Sequence, residues 1–167
     1  MITLVTGGVK SGKSSHVLRL SGAYRKKIFV ATSEYYDKET EKRIELHRAE
    51  RDASYETREV PLELSRAFSE ISNNRDTCVI IDCLTTWVGN LIHHEKDLQN
   101  YTEAFTRALQ MIQVDAFIVT NEVGLGVIGP TVETRYYINE LGKLNQKVAG
   151  IAHSVLFMVS GLPMVLK

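Results

Sequence analysis

Lys13 and Ser14 close the run GGVKSGKS, in which Gly7 and Gly12 stand at the separation a G-x-x-x-x-G-K-[ST] phosphate-binding loop requires. The chemistry of such a loop is electrostatic. Backbone N–H groups from Gly8, Val9, Lys10, Ser11 and Gly12 wrap phosphate oxygens, and a side chain at Gly7 or Gly12 would obstruct that wrap. The Lys13 ammonium reaches the terminal phosphates, the Ser14 hydroxyl offers a ligand to Mg²⁺, and a helix opening near Lys13 adds the positive end of its dipole. The spacing predicts a nucleotide site; the competing reading is a glycine turn carrying a chance Gly-Lys-Ser.

A loop of this kind works with an acid at the end of another strand, which holds the metal and its water shell. Asp82, after the apolar Val79-Ile80-Ile81, is that candidate. An aspartate here equally suits capping of a helix that starts at Leu84-Thr85-Thr86-Trp87.

A third constellation lies in DKETEKRIELHRAERD. Its early acids and the possible cap Asp37 predict a helix, on which Arg43, His47 and Arg51 at i, i+4 and i+8 form one stripe with Arg48 a turn away. Such a stripe reads either as an anion cradle or as a solvated charged face. Two features favour the cradle. The segment follows the strand end Ala31-Thr32-Ser33, at the carboxyl edge where α/β sheets bind ligands, and flanking arginines keep a histidine neutral and nucleophilic.

These residues need a scaffold. Continuous apolar runs at Ile2 to Thr6, Ile28 to Thr32, Cys78 to Asp82, Ala116 to Thr120 and Val155 to Val159 predict strands buried on both faces, as in a parallel sheet. Helical patterning between them, at Lys13 to Tyr24, Asp37 to Asp52, Leu62 to Asn73, Leu98 to Ile112 and Val132 to His153, predicts an α/β fold with helices on both faces. Gly161, Pro163 and the apolar tail to Lys167 predict a turn into a last, antiparallel edge strand.

At 167 residues and 44% hydrophobic, the chain suits one domain over residues 1–167, burying roughly two thirds of its unfolded surface. Lys plus Arg and Asp plus Glu number 20 each, so no bulk field collects nucleic acid or an anionic membrane. Cys78 and Cys83 flank an extended run too long for a bridge between them and are expected as free thiols in a reducing compartment. No apolar run approaches the roughly 20 residues that span a bilayer, and MITLVTGG lacks a signal-peptide pattern, so the expectation is a cytoplasmic protein without membrane insertion.

The runs TGGVKSGKS, ATS, RIELHRAER, the E-V-P of Glu59 to Pro61, IIDCLTTWVGNL, TNEVGLGV, LNQKVA and the closing SGLP together resemble the bifunctional adenosylcobinamide kinase and adenosylcobinamide-phosphate guanylyltransferase family of cobalamin assembly. The phosphate loop is shared with many nucleotide enzymes; HR-x-x-R, DCLT-x-W-x-x-NL and NEVG-x-G carry the specificity. The resemblance implies a RecA-like core, a parallel sheet with an antiparallel edge, and a homotrimer. It implies that His47 becomes covalently guanylylated and that Arg48, Ala49, Glu50, Arg51 and Glu59 line the guanine nucleotide site, with Gly7 through Ser14, Ala31, Thr32, Ser33 and Asp82 completing the nucleotide and metal contacts. Lys10 stands where the family has arginine, which keeps the charge and loses the bidentate fork.

The implied chemistry has two steps: phosphorylation of the adenosylcobinamide hydroxyl from GTP or ATP, then transfer of GMP from GTP to adenosylcobinamide phosphate. The alternatives are a monofunctional small-molecule kinase, with His47 merely binding phosphate, or a nucleotide-dependent switch. A switch would be favoured by a guanine-selective N-K-x-D, and the nearest run, Thr120-Asn121-Glu122, lacks its lysine and aspartate.

Overall fold

The computed structural model describes residues 1–34, 52–71, 74, 76–126 and 128–167. Its elements, numbered in chain order, are β1 (Ile2–Gly7), α1 (Lys13–Ser21), β2 (Lys26–Ala31), β3 (Tyr55–Glu59), α2 (Leu64–Ser69), β4 (Thr77–Asp82), α3 (Leu84–His93), α4 (Leu98–Gln110), β5 (Asp115–Val119), α5 (Val132–Ile151), β6 (Ser154–Val159) and β7 (Leu162–Val165). The strands form one seven-stranded sheet in the order β3-β2-β4-β5-β1-β6-β7. Every pairing is parallel except β6 with β7, the expected antiparallel edge.

The apolar runs are continuous because successive side chains of a strand enter two different cores. Ile2, Leu4, Ile28, Val30, Val79, Ile81, Ala116 and Ile118 join Leu64, Trp87, Phe105, Leu141 and Leu144 in a cluster under α2 to α5. Val5, Phe29, Ile80, Phe117 and Val119 face the other way and join Val17 of α1. Burying each such side chain contributes roughly 1.5–3 kcal/mol, so neither face tolerates a polar alternation. Trp87, fully buried, packs on Phe105 at 5.1 Å between ring centroids and donates its Nε1–H to Leu62 O at 2.7 Å, which anchors α3.

Three expectations about elements are corrected. Helix α1 stops at Ser21 rather than Tyr24, where Gly22 N–H turns back to Arg19 O at 3.2 Å. The helix expected over Leu62 to Asn73 is only Leu64–Ser69. Strand β3 was not expected at all: it reads Tyr-Glu-Thr-Arg-Glu, with no apolar run, because it is the sheet edge. Polar groups hold it there. Lys26 of β2 meets Glu56 at 2.9 Å, and the Lys27 ammonium lies 5.0 Å from the Tyr55 ring centroid; Arg58, on the same strand as Glu56, meets it at 2.7 Å. Charges along an edge also discourage pairing with another sheet. The expected helix from Asp37 to Asp52 lies, apart from Asp52, outside the described residues.

Candidate nucleotide-binding site

Parallel register sets the site. Glu59, Ala31, Asp82, Val119 and Val5 lie opposite one another in turn across five strands, so the carboxyl ends of β3, β2, β4, β5 and β1 are level. The phosphate loop leaves this edge from β1. One strand, β5, separates the loop strand from the acid strand β4.

The loop can be traced residue by residue. Gly7 has φ of 147°, Lys10 of 54° and Gly12 of 91°, the positive values a chain needs to coil its amides inward. A Cβ on Gly7 would stand 2.5 Å from Met158 O, and one on Gly12 would stand 3.2 Å from Gly161 Cα. The glycines are therefore demanded from behind as well as from the cradle: the β6–β7 hairpin backs onto the loop, with Gly161 N–H donating to Ser11 O at 3.0 Å. Ser11 Oγ is buried without a hydrogen-bond partner. A buried hydroxyl left so forfeits about 1–3 kcal/mol, which a phosphate oxygen would restore.

Lys13 is buried and donates to Gly8 O at 2.6 Å, folding over the loop it serves. Burial lowers its pKa, and the nearby Cys83 and Asp82 pull it back up. Ser14, one residue on, donates its hydroxyl to Asp82 Oδ2 at 2.7 Å. That contact turns Asp82 toward the phosphate loop, and the capping position of α3 is Cys83, without a side-chain cap bond. Thr32 fixes the turn after Asp82: its Oγ1 accepts from Cys83 N–H at 2.9 Å and donates to Cys83 O at 2.8 Å. Asn90 Nδ2 in turn donates to Thr32 O at 2.7 Å. Thr32 is fully buried and holds the Asp82 turn.

Ser14 and Asp82 fit Mg²⁺, which takes one or two hard oxygen ligands from a protein and leaves the rest to phosphates and water. Asp82→Asn is expected to raise the Mg²⁺ concentration for half-maximal activity, since a neutral amide holds a hydrated cation less well. A magnesium titration of the variant checks this; an unchanged midpoint would leave Asp82 with only its bond to Ser14.

Of the other residues singled out in the sequence, Ala31 and Ser33 are half-buried at the end of β2 and Glu59 is exposed at the end of β3, four strands from β1. His47, Arg48, Ala49, Glu50 and Arg51 lie outside the described residues. The two cysteines are free, as expected, and burial pushes the Cys78 thiol up to about 12. A group that the sequence reading did not assign to the site braces the end of β5. Thr85 Oγ1 accepts from Asn121 N–H at 2.6 Å, Thr120 Oγ1 donates to Asn145 Oδ1 at 2.8 Å, and Asn145 Nδ2 donates to Asn121 O at 3.2 Å. The only trace in the sequence was that TNEVGLGV and LNQKVA both stood out.

The family described as cobinamide kinase / cobinamide phosphate guanyltransferase matches residues 3–166. The chain belongs to this family. It is 37% identical over 171 residues to a Pseudomonas aeruginosa protein named bifunctional adenosylcobalamin biosynthesis protein CobP, covering 100% of this chain and 98% of that one. It is 32% identical over 182 residues to the Escherichia coli K12 protein named bifunctional adenosylcobalamin biosynthesis protein CobU, covering both chains fully. A Pyrococcus horikoshii protein of solved structure shares the fold, with a TM-score of 0.57 at 12% identity over 99% of this chain and 85% of that one. The cobinamide kinase family thus supplies the frame for a loop, lysine and acid already visible in the geometry. Among the described residues no helix is long and apolar enough to cross a membrane.

Proposed function

We propose that this chain, as one catalytic domain over residues 1–167, phosphorylates adenosylcobinamide with GTP or ATP and then transfers GMP from GTP to adenosylcobinamide phosphate. The observation that carries the reading is the Ser14–Asp82 bond beside the buried Lys13, at the head of a loop whose Gly7 and Gly12 leave no room for a side chain. In the kinase step the acceptor hydroxyl attacks the γ-phosphorus and the nucleoside diphosphate leaves. The loop amides and Lys13 stabilise charge on the transferring group. Mg²⁺ held by Ser14 and Asp82 would supply further charge neutralisation.

In the second activity His47 attacks the α-phosphorus of GTP, pyrophosphate leaves, and GMP passes from the imidazole to the phosphate of the corrinoid. Covalent catalysis divides one difficult displacement into two easier ones. Arg48 and Arg51 suit a clamp on the phosphates, and Ala49, Glu50 and Glu59 suit the guanine side. Two labels of GTP test this: γ-label should reach adenosylcobinamide, and α-label should reach the protein and then the corrinoid. A protein that moves γ-label alone is a monofunctional kinase.

The same reading makes the protein a cytoplasmic homotrimer acting on small molecules, with no nucleic-acid or membrane partner. What supports an assembly is the edge strand β7, where Leu162, Met164 and Val165 are exposed beside Leu166. Light scattering should give about three chain masses in solution; a monomeric mass at micromolar concentration would end the trimer proposal.

A further inference from the structure

We propose that Glu122 is the general base of the kinase step, taking the proton from the corrinoid hydroxyl as that oxygen attacks the γ-phosphorus. The inference deepens the proposed function and rests on it. Its starting point is the TNEVGLG turn, which the nucleotide-binding reading leaves without a task. Glu122 follows β5, the strand between the loop strand β1 and the acid strand β4. Its N–H donates to Gly7 O at 3.0 Å, which fastens its backbone to the first glycine of the phosphate loop.

The carboxylate is held but not consumed. Oε1 accepts from Gly124 N–H at 3.0 Å, and Glu122 remains half-exposed at the head of the sheet. Among the described residues Oε2 has no hydrogen-bond partner, so one oxygen fixes the group and the other is available to a proton. A Cβ on Gly124 would come within 3.2 Å of Oε1, so the turn passes close to this carboxylate. The residue before Glu122 is pinned on both sides of its backbone: Thr85 accepts from Asn121 N–H and Asn145, itself held by Thr120, donates to Asn121 O.

The other described acids at this edge are engaged or distant. Asp82 accepts the Ser14 hydroxyl. Glu34, after β2, is held by His94 Nε2 at 3.0 Å. Glu59 ends β3, and four strand spacings of about 4.8 Å put that strand roughly 19 Å from β1. Proton accounting then closes: the hydroxyl oxygen forms the new bond to phosphorus, the bond from the γ-phosphorus to the bridging oxygen breaks with its electron pair on the diphosphate, and the proton moves to Oε2 and on to water.

Glu122→Gln is the test, because the amide oxygen can still accept from Gly124 while the side chain no longer takes a proton. The turnover number for γ-phosphoryl transfer should fall roughly 10²–10⁴-fold with the nucleotide KM within threefold, the range for loss of a general base. Slow hydrolysis of γ-labelled GTP by water, measured without corrinoid, should fall as well, and α-label should still reach the protein. Turnover within threefold of the parent, a raised nucleotide KM at unchanged turnover, or equal loss of both activities would each overturn the assignment. Failure of the parent protein to phosphorylate adenosylcobinamide would instead remove the proposed function; the hydrolysis reading still judges Glu122 in that case.

Discussion

Lys13→Ala is expected to abolish both phosphoryl and GMP transfer while leaving the fold intact. The ammonium is buried over the loop and bonded to Gly8 O, within the coil proposed to hold the phosphates. Without it, charge building on the transferring group loses a contact of several kcal/mol, equivalent to roughly 10²–10⁴-fold in rate. The fold should survive for a separate reason. Burial lowers the pKa of Lys13, which means that the folded chain disfavours the charged form, so deleting the ammonium removes no net stabilisation by charge. Circular dichroism and a thermal melt matching the parent must accompany the assay. Kinase turnover within tenfold of the parent would refute the role of Lys13.

What the sequence made legible follows from how each feature is encoded. The phosphate loop is contiguous, and its glycines answer to backbone geometry that no other residue meets at φ of 91° or 147°. The five inner strands were legible because a strand buried on both faces has no freedom to alternate; their ends moved by at most two residues. Strand β3 was not, since an edge strand is held by main-chain bonds to β2 and by polar contacts such as Lys26 with Glu56 rather than by its own apolar content.

The site divides the same way. Asp82 stands out as an acid ending an apolar strand, yet its bond to Ser14, which turns it toward the phosphate loop, is made in space and not in sequence. The position of Thr32 at a strand end is legible, whereas its two bonds to the Cys83 backbone are not. The bracing of the loop by Gly161, and of Asn121 by Thr85 and Asn145, joins segments remote in sequence; nothing local marks such contacts. Glycine and asparagine are common in turns anyway, so their types alone do not announce a partner.

His47→Asn should abolish covalent labelling from α-labelled GTP and all GMP transfer, yet spare most phosphoryl transfer. The expectation stands on the sequence spacing of Arg43, His47 and Arg51 and on membership of the cobinamide kinase family, since His47 lies outside the described residues. Direct in-line attack by a substrate hydroxyl uses no protein nucleophile, whereas GMP transfer through an intermediate cannot proceed without one. In the parent protein the label should be lost in acid and survive alkali, as a phosphorus–nitrogen bond does and a serine ester does not. Equal loss of both activities would assign His47 a shared phosphate-binding role. Label persisting in the variant would sink the nucleophile and turn attention to the other histidines, where the structure ranks them. His16 is buried against Arg19 at 2.7 Å and His153 Nδ1 accepts from Ile2 N–H at 3.0 Å, so both are committed within the fold. His94, paired with Glu34 beyond the end of β2, would be the residue to replace next.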